Sequence, residues 1–373
     1  MNYPDMIGEN LQGANTYVPY ADWALGIPAI VPPNWGNGIL IPSSSTVAHT
    51  IPKDFHRGYI ESRNVSIEKQ FKNNLMLQAS YVGTLDIHQI MSTDLNAGQV
   101  PGAGLAGENL YALYGRTATT PEYAPIGTVN YNALQVRFNR AYANGYSYGV
   151  GYSWSKAIGN SSDVESSPLV NANAYFGKNH GVLSYDRTHI IHVTGTWELP
   201  FGAGKEMVNT GFGAMILGGW KLNGIFTGMS GLPFTVTASG TSLNLPGSTQ
   251  FADQVAPVKI LGGHRAGHPY FSTSSFAPVT QVRFGTANPF SVRGPRLMNM
   301  DASIFRDIPI FEAVHFQFRA EVFNLTNTPH WGLPGSSVTT PGSFGIITST
   351  DASYLGRAGT DQRLFRLGGK ISF

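Results

Sequence analysis

Acidic, basic and histidine side chains cluster between residues 186 and 192, where they could bind a metal ion or move a proton. The cluster contains Asp186, Arg187, His189 and His192. In an extended strand His189 and His192 would point to opposite faces, so they cannot ligate one metal ion together. The pattern instead indicates an ion pair at the point where a strand begins.

Two further patterns resemble known sites in part but lack features that those sites require. His264 and His268 lie four residues apart, as zinc ligands on a helix do, but the segment GGHRAGHPY is rich in Gly and Pro and lacks the intervening Glu. The segment PFGAGK at 200–205 has too few residues between its glycines for a phosphate-binding loop, and it indicates a turn. The sequence therefore predicts no catalytic, cofactor-binding or metal-ligating residues, and we do not expect an enzyme.

The composition narrows the class of protein. Charged residues make up 12% of the 373 residues, against roughly 25% in soluble domains. The net charge of +2 gives no reason to expect a nucleic-acid partner. The chain has no cysteine, which excludes disulfides and thiolate metal sites. No apolar run approaches the roughly 20 residues of a transmembrane helix.

The end of the chain alternates between apolar and polar residues over 362–373. One face would carry Arg363, Phe365, Leu367, Gly369, Ile371 and Phe373. A transmembrane β-strand needs about 9–11 residues, so this segment is long enough to cross a bilayer. One apolar and one polar face is what a barrel wall between lipid and water requires.

The same alternation recurs along the chain and predicts about nine strands. They fall near 65–71, 75–81, 134–139, 148–155, 188–198, 220–229, 299–304, 314–322 and 362–373, with 231–236 prolonging the sixth. Asn144-Gly145 is a strong hairpin signal. Connections alternate between short ones, including 199–202, and long ones. We therefore expect an all-β, antiparallel transmembrane outer-membrane β-barrel with long extracellular loops, short periplasmic turns and a periplasmic C-terminus.

The strand count and the start of the chain leave alternatives open. Bacterial single-chain barrels usually have an even number of strands, so the count is off by one or two or the strands belong to a larger barrel. Residues 1–58 are rich in Pro, Gly and Asn and are interpreted as a loop-rich segment. Residues 1–38 show no signal-peptide pattern, which favours a start inside a longer parent chain.

Four segments resemble the C-terminal barrel of TonB-dependent receptors of the Oar-like type. They are YDRTHIIHVTGTWELPFGAGK at 185–205, GGWKLNGIFTGMSGLPFTV at 218–236, FQFRAEVFNLTNTPHWG at 316–332 and the terminal RLFRLGGKISF. The resemblance covers residues 59–373. It implies an outer-membrane barrel of roughly 22 strands with an N-terminal plug and a Ton box. The chain would then be a fragment without plug, Ton box or signal peptide.

The resemblance also implies a location and partners. The protein would lie in the outer membrane of a Gram-negative-type bacterium, in contact with outer-membrane lipid. The TonB system would act only through the missing N-terminal parts, and the long loops would capture an unidentified extracellular ligand. By position, the terminal Phe373 resembles the signal read by the barrel assembly machinery, with Ile371 and Phe365 on the same strand face.

The alternation also yields candidate residues for the interior and the membrane interfaces. The candidate lumen-facing polar residues are Gln135, Arg137, Asn139, Gln317, Arg319 and Glu321. The candidate interface aromatics near strand ends are Tyr81, Tyr152, Trp154, Trp197 and Trp220. Two other functions stay open, a standalone surface or adhesion protein and a small passive porin of about ten strands.

Overall fold

The computed structural model describes residues 47–265, 267–311, 314–356 and 361–373, together with the single residues 24, 26 and 44. Val47–Phe373 forms one compact unit. The predicted loop-rich segment 1–58 lies for the most part outside the described residues and stays a prediction.

Nine long strands, numbered β1 to β9 in chain order, form one antiparallel sheet in the described part of the chain. They are Tyr59–Phe71, Leu75–Asp94, Pro121–Ala143, Tyr146–Gly159, His189–Glu198, Trp220–Met229, Leu297–Phe311, Val314–Phe323 and Leu364–Ser372. Each strand pairs with its neighbours in sequence, so the sheet is a meander from β1 to β9. The prediction of an all-β antiparallel sheet with about nine strands is confirmed.

Two strands extend much further than the sequence pattern predicts. β2 was expected to end near residue 81 and β3 to begin near residue 134, yet the two pair in register up to Asp94 opposite Pro121. The register shifts near Gln89, where the pairing is irregular. This part of the two strands mixes apolar residues, among them Leu85, Ile90 and Met91, with polar ones and lacks regular alternation over its full length. The pairing of the two strands with each other makes it a sheet.

Tight turns join the strands at one end of the sheet. Asn73 and Asn74 have φ of 65° and 60°, and Asn144 and Gly145 have φ of 55° and 85°. The β1–β2 turn has three residues between Phe71 and Leu75, whereas the β3–β4 turn has two between Ala143 and Tyr146. Positive φ at both central residues is what a two-residue type I′ hairpin requires, and it explains the Asn-Gly pair of the β3–β4 turn. The turn predicted from that pair is confirmed.

The connection between β5 and β6 differs from the predicted short link. It runs over 199–219 and contains the helix α2, Gly211–Leu217. A second difference follows β6, which ends at Met229. The segment expected to prolong β6 instead contributes Pro233–Phe234, which pairs with Val292–Arg293 in a separate two-stranded sheet.

The hydrophobic core lies in the long loops at the other end of the sheet. These loops span 95–120, 160–188, 230–296 and 324–363. Within them are helix α1, Tyr111–Tyr114, and the 3-10 helices Gly104–Gly107, Asn173–Asn179, Thr273–Ser275 and Ser353–Leu355. Gly181–Val182 pairs with β4, and Asp253–Gln254 pairs with Phe276–Ala277. None of the helices in the described ranges is long and apolar enough to span a membrane.

The buried residues of this loop core come from three loops. They are Val170, Ala172, Phe234, Val236, Leu243, Leu245, Phe251, Ala252, Tyr270, Phe271, Phe276, Phe284, Ala287, Val292, Phe344 and Ile347. Phe271 lies at the centre, with its ring in edge contact with Phe276 and Phe344. The long connections thus pack on one another as a compact loop cap.

Candidate functional site

The two faces of the sheet differ in chemistry, because side chains alternate along every strand. On one face, the residues paired across strands are large and apolar. Tyr81 lies opposite Leu134, and Leu134 lies opposite Trp154. The large apolar side chains on this face are exposed. They are Val65, Ile67, Leu77, Tyr81, Leu134, Trp154, Trp197, Leu222, Met298, Met300, Phe365, Leu367 and Ile371.

This exposed apolar face is too extensive for a face that meets water. Soluble monomers rarely expose contiguous apolar patches larger than a few hundred Å², and larger ones mark interaction or membrane surfaces. Here the apolar face extends over all nine strands, while the core lies in the loops. The apolar face is therefore a surface for contact with a nonpolar medium.

Two tryptophans mark the height of the apolar face. Trp154 lies opposite His189 at one end of β5, and Trp197 lies eight residues after His189 on the same strand. The eight-residue separation corresponds to about 27 Å along the strand, or about 20 Å along the barrel axis at a tilt of about 40°. An apolar band about 25 Å tall between aromatic girdles is typical of transmembrane barrels.

The opposite face is polar and includes the residues predicted to face a lumen. Gln135, Arg137 and Asn139 line a cavity of about 360 Å³ together with Gln78 and His192. A neighbouring cavity of about 750 Å³ continues along the same face. Both cavities lie against the polar face of the sheet, and the smaller one is lined by residues of β2, β3, β4 and β5.

The second predicted polar group lies on the same face but far along the sheet. Gln317, Arg319 and Glu321 belong to β8, five strands from β3. Arg319 and Arg366 approach Glu321 at 3.5 and 3.7 Å. The structure therefore places both groups on one face without bringing them into one site.

The histidines of β5 point to opposite faces, as the sequence indicates. The Nδ1 atom of His189 lies 2.8 Å from the hydroxyl of Tyr152 on the apolar face. The Nδ1 atom of His192 lies 3.2 Å from the hydroxyl of Thr227 on the polar face. Within the described ranges, no group of three or more His, Cys, Asp or Glu residues could hold a metal ion.

The charged residues before β5 join separate loops. Asp186 is buried and forms an ion pair with Arg293, and its carboxylate also accepts a hydrogen bond of 2.6 Å from the amide of Ala157. Arg187 donates to the carbonyl of Ser230 at 2.6 Å and lies over the ring of Tyr354. The expected ion pair is present, but its partner Arg293 comes from a distant loop that the local pattern could not indicate.

Comparison with known proteins gives one family match. A family model described as "Outer membrane beta barrel domain" matches residues 2–360. No curated protein matches the chain.

Several solved structures are similar in fold at low sequence identity. The outer membrane transporter YddB from Escherichia coli is 11% identical with a TM-score of 0.47, over 88% of this chain and 34% of that one. The siderophore receptor PiuA from Acinetobacter baumannii is 9% identical with a TM-score of 0.38, over 84% and 28%. The ferripyoverdine receptor of Pseudomonas aeruginosa is 7% identical with a TM-score of 0.40, over 84% and 27%. The chain spans about a third or less of the length of these structures.

Proposed function

The chain belongs to the family of outer membrane β-barrel domains, and from that premise we propose that it forms part of the wall of a TonB-dependent outer-membrane transporter. The observation that carries the proposal is the exposed apolar face, backed by a polar face on the same nine strands. Lipid contacts the first face and the aqueous lumen the second. The TonB-dependent assignment rests on the four resembling segments of the sequence.

The two outer edges of the sheet support a wall that needs further strands. In the described part of the chain, β1 and β9 each pair on one side only. Lipid cannot satisfy the unpaired backbone groups of a sheet edge, so spanning sheets are closed. We propose that additional strands, from a longer chain or from further copies of this one, close the barrel between β1 and β9.

The distribution of connections supports the proposed orientation. All four long loops lie at one end of the sheet, and outer-membrane barrels have longer loops on the extracellular side. In this orientation the loop cap captures the ligand outside the cell. The C-terminus lies in the periplasm, where the barrel assembly machinery reads Phe373 with Ile371 and Phe365.

The polar face supplies candidate residues for the conduction path. Gln135, Arg137 and Asn139 line the groove on β3, and Gln317, Arg319 and Glu321 lie on β8. In the proposed transporter these groups face the lumen and contact the passing ligand or water. A TonB system acts through parts of the receptor outside these strands.

A second function is favoured by the loop cap. Three of its loops share one aromatic core and form a packed outer surface, which a surface-adhesion protein would also present. Adhesion and ligand capture would use the same loop cap. A transporter would also pass the ligand through the barrel, whereas an adhesion protein would not.

The wall assignment is tested by expressing the full chain with a signal peptide in a bacterium that has an outer membrane. We expect the protein in the outer-membrane fraction, resistant to extraction by alkaline carbonate because lipid covers its apolar face. Extraction into the soluble phase as folded protein would contradict the proposal.

Closure is then tested by gel mobility with and without boiling. A protein that migrates faster before boiling has closed alone or as an oligomer, which favours the adhesion or porin functions. Absence of this shift supports the need for additional strands.

A further inference from the structure

The helix α2, in the connection between β5 and β6, exposes large apolar side chains at the short-turn end of the sheet. Phe212 is 72% exposed and Met215 is 61% exposed, and Ile216 and Leu217 are also exposed. The preceding Met207 and Val208 are exposed as well. No charged residue lies between 207 and 217. Together, residues 207–217 form an apolar segment that the rest of the described chain does not cover.

The end of α2 is fixed to the apolar face of the sheet by two side chains. Arg306 donates to the carbonyls of Met215 and Ile216 at 2.6 and 2.8 Å. The indole Nε1 of Trp220 donates to the carbonyl of Ile216 at 2.9 Å. Arg306 and Trp220 lie opposite each other in the register, on the apolar face at its short-turn end. The exposed residues of α2 therefore continue the apolar face beyond the strands.

A close backbone contact holds the connection in this shape. A Cβ atom on Gly202 would lie 2.6 Å from the Cα of Gly218, and Gly202 has a φ of +108°. Both the contact and the backbone conformation require glycine. The position of α2 is thus built into the connection rather than left to a free loop.

The chemistry of the segment fits one environment. A helix this short is marginal in water, and its stability must come from packing of an apolar face. Burial of a Phe, Met or Ile side chain in an apolar medium is favourable because it removes apolar surface from water. Trp is enriched at the membrane–water interface, and Arg near an interface packs its stem on apolar surface with the charged head in water.

We propose that residues 207–217 form an interfacial anchor, with Phe212, Met215 and Ile216 inserted into the lipid leaflet at the short-turn end of the wall. The partner is bilayer lipid, because the segment is continuous with the apolar face that contacts lipid. This inference rests on the proposed function of the sheet as a membrane wall. The anchor fixes the depth of β5, β6 and β7 in the bilayer.

The absence of cysteine from the sequence allows a direct test with single labels. Three variants of the full chain, Phe212→Cys, Leu113→Cys and Leu134→Cys, each carry one environment-sensitive fluorophore. They are folded into phosphatidylcholine vesicles, with and without spin-labelled phospholipid as the lipid-phase quencher. Leu113 is the matched control, because it is also 72% exposed but lies in α1 among the long loops. Leu134 reports on the wall itself.

We expect the spin-labelled lipid to quench the labels at 212 and 134 several-fold more than the label at 113. Aqueous iodide should quench the label at 113 and spare the other two. Lipid quenching at 134 with iodide quenching at 212 would overturn the anchor and leave the wall intact. Shielding of 212 from both quenchers would also overturn it, because a protein surface would then cover α2.

Two further variants guard against a folding defect in the first label and test the attachment of α2 directly. Met215→Cys gives a second label in α2 if the change at 212 perturbs folding, and the same lipid quenching is expected. Arg306→Ala removes two of the three hydrogen bonds that hold the end of α2, so iodide should reach the label at 212 more readily while the label at 134 stays protected. Iodide quenching at 134 in the unmodified background would contradict the wall itself, and with it the anchor.

Discussion

The imidazole of His330 lies between the carboxylate of Asp361 and a strand carbonyl, and thereby ties the end of the last loop to β7. Its Nδ1 atom contacts Asp361, and its Nε2 atom lies 3.0 Å from the carbonyl of Met298. The backbone amide of His330 also donates to Asp361 at 2.6 Å. Both ring nitrogens therefore lie beside oxygen atoms, and these contacts fix the orientation of the buried ring.

Replacing Asp361 with Asn should loosen this link. An amide can replace one acceptor but not the charge, and His330 is almost completely buried. We expect a loss of about 1–3 kcal/mol of stability in the loop cap, as when a buried hydrogen-bonded group loses its partner. Limited proteolysis should then cut within 324–363 faster than in the unmodified protein. Glu206→Gln, an exposed carboxylate at the other end, is the control, and equal cleavage of both variants would contradict the prediction.

A charge on the apolar face should be far more costly than the same charge on the polar face. Val136 and Gln135 are neighbours on β3 that point to opposite sides, so Val136→Arg and Gln135→Arg form a matched pair. We expect Val136→Arg to destabilise the membrane-inserted protein by about 2–4 kcal/mol, the cost of Arg on the lipid face near the midplane. Gln135→Arg should cost much less. Urea unfolding in vesicles measures both, and equal costs would argue against a lipid-facing surface.

The loop cap should depend on its central phenylalanine. Phe271 is fully buried and lies 5.9 Å from Phe276 and 5.3 Å from Phe344, measured between ring centroids. Phe271→Ala should cost about 3–5 kcal/mol through lost burial and the cavity left behind. Surface proteolysis of cells should then cut the loops while the strands stay protected in the membrane. Val282→Ala, at an exposed loop position, should leave the cleavage rate unchanged.

Acid should weaken the loop cap through Asp253. Arg283 donates two hydrogen bonds to this carboxylate at 2.8 and 2.7 Å and holds the pKa of Asp253 below its ordinary value. Because the pKa is lower in the folded state, the stabilisation is complete above about pH 4, the unfolded value, and is lost as the pH falls through the folded pKa. The midpoint temperature of the thermal unfolding of the loops should therefore decrease below about pH 4.

The control for this pH dependence is Asp253→Asn, which removes the titrating group. At neutral pH the loops of this variant should unfold at a lower midpoint temperature than those of the unmodified protein. On acidification that midpoint temperature should change less in the variant. Calorimetry or loop proteolysis across the pH range checks both. Identical acid profiles for the two proteins would show that Asp253 does not contribute.

Local patterns in the sequence were sufficient for the wall itself. Alternation over two residues assigns Leu134 and Val136 to one face and Gln135 and Arg137 to the other, because the side-chain period of a strand is two. Asn144-Gly145 marks its hairpin because few residue pairs tolerate positive φ at both positions. These features depend on neighbouring residues, and the observed register agrees with them.

Local patterns do not predict the contacts within the long loops or the structure of the β5–β6 connection. Asp186 pairs with Arg293, and Phe271 packs on Phe344, across separations in sequence that carry no periodic signal. The part of β2 and β3 beyond Tyr81 and before Leu134 mixes apolar and polar residues irregularly, and it forms a sheet because the two segments lie side by side. The sequence pattern predicts a short turn where α2 lies, because the apolar run of this helix is too brief to show a helical period.

Neighbouring residues are enough to predict that nine strands form, which two faces they have and where the Asn-Gly turn lies, since each follows from local geometry. The position of the hydrophobic core, the pairing of the charged groups and the attachment of α2 by Arg306 and Trp220 emerge only in the folded protein. These contacts join residues far apart in the chain, so no local pattern encodes them. Their free energy depends on packing that forms only when the loops fold together.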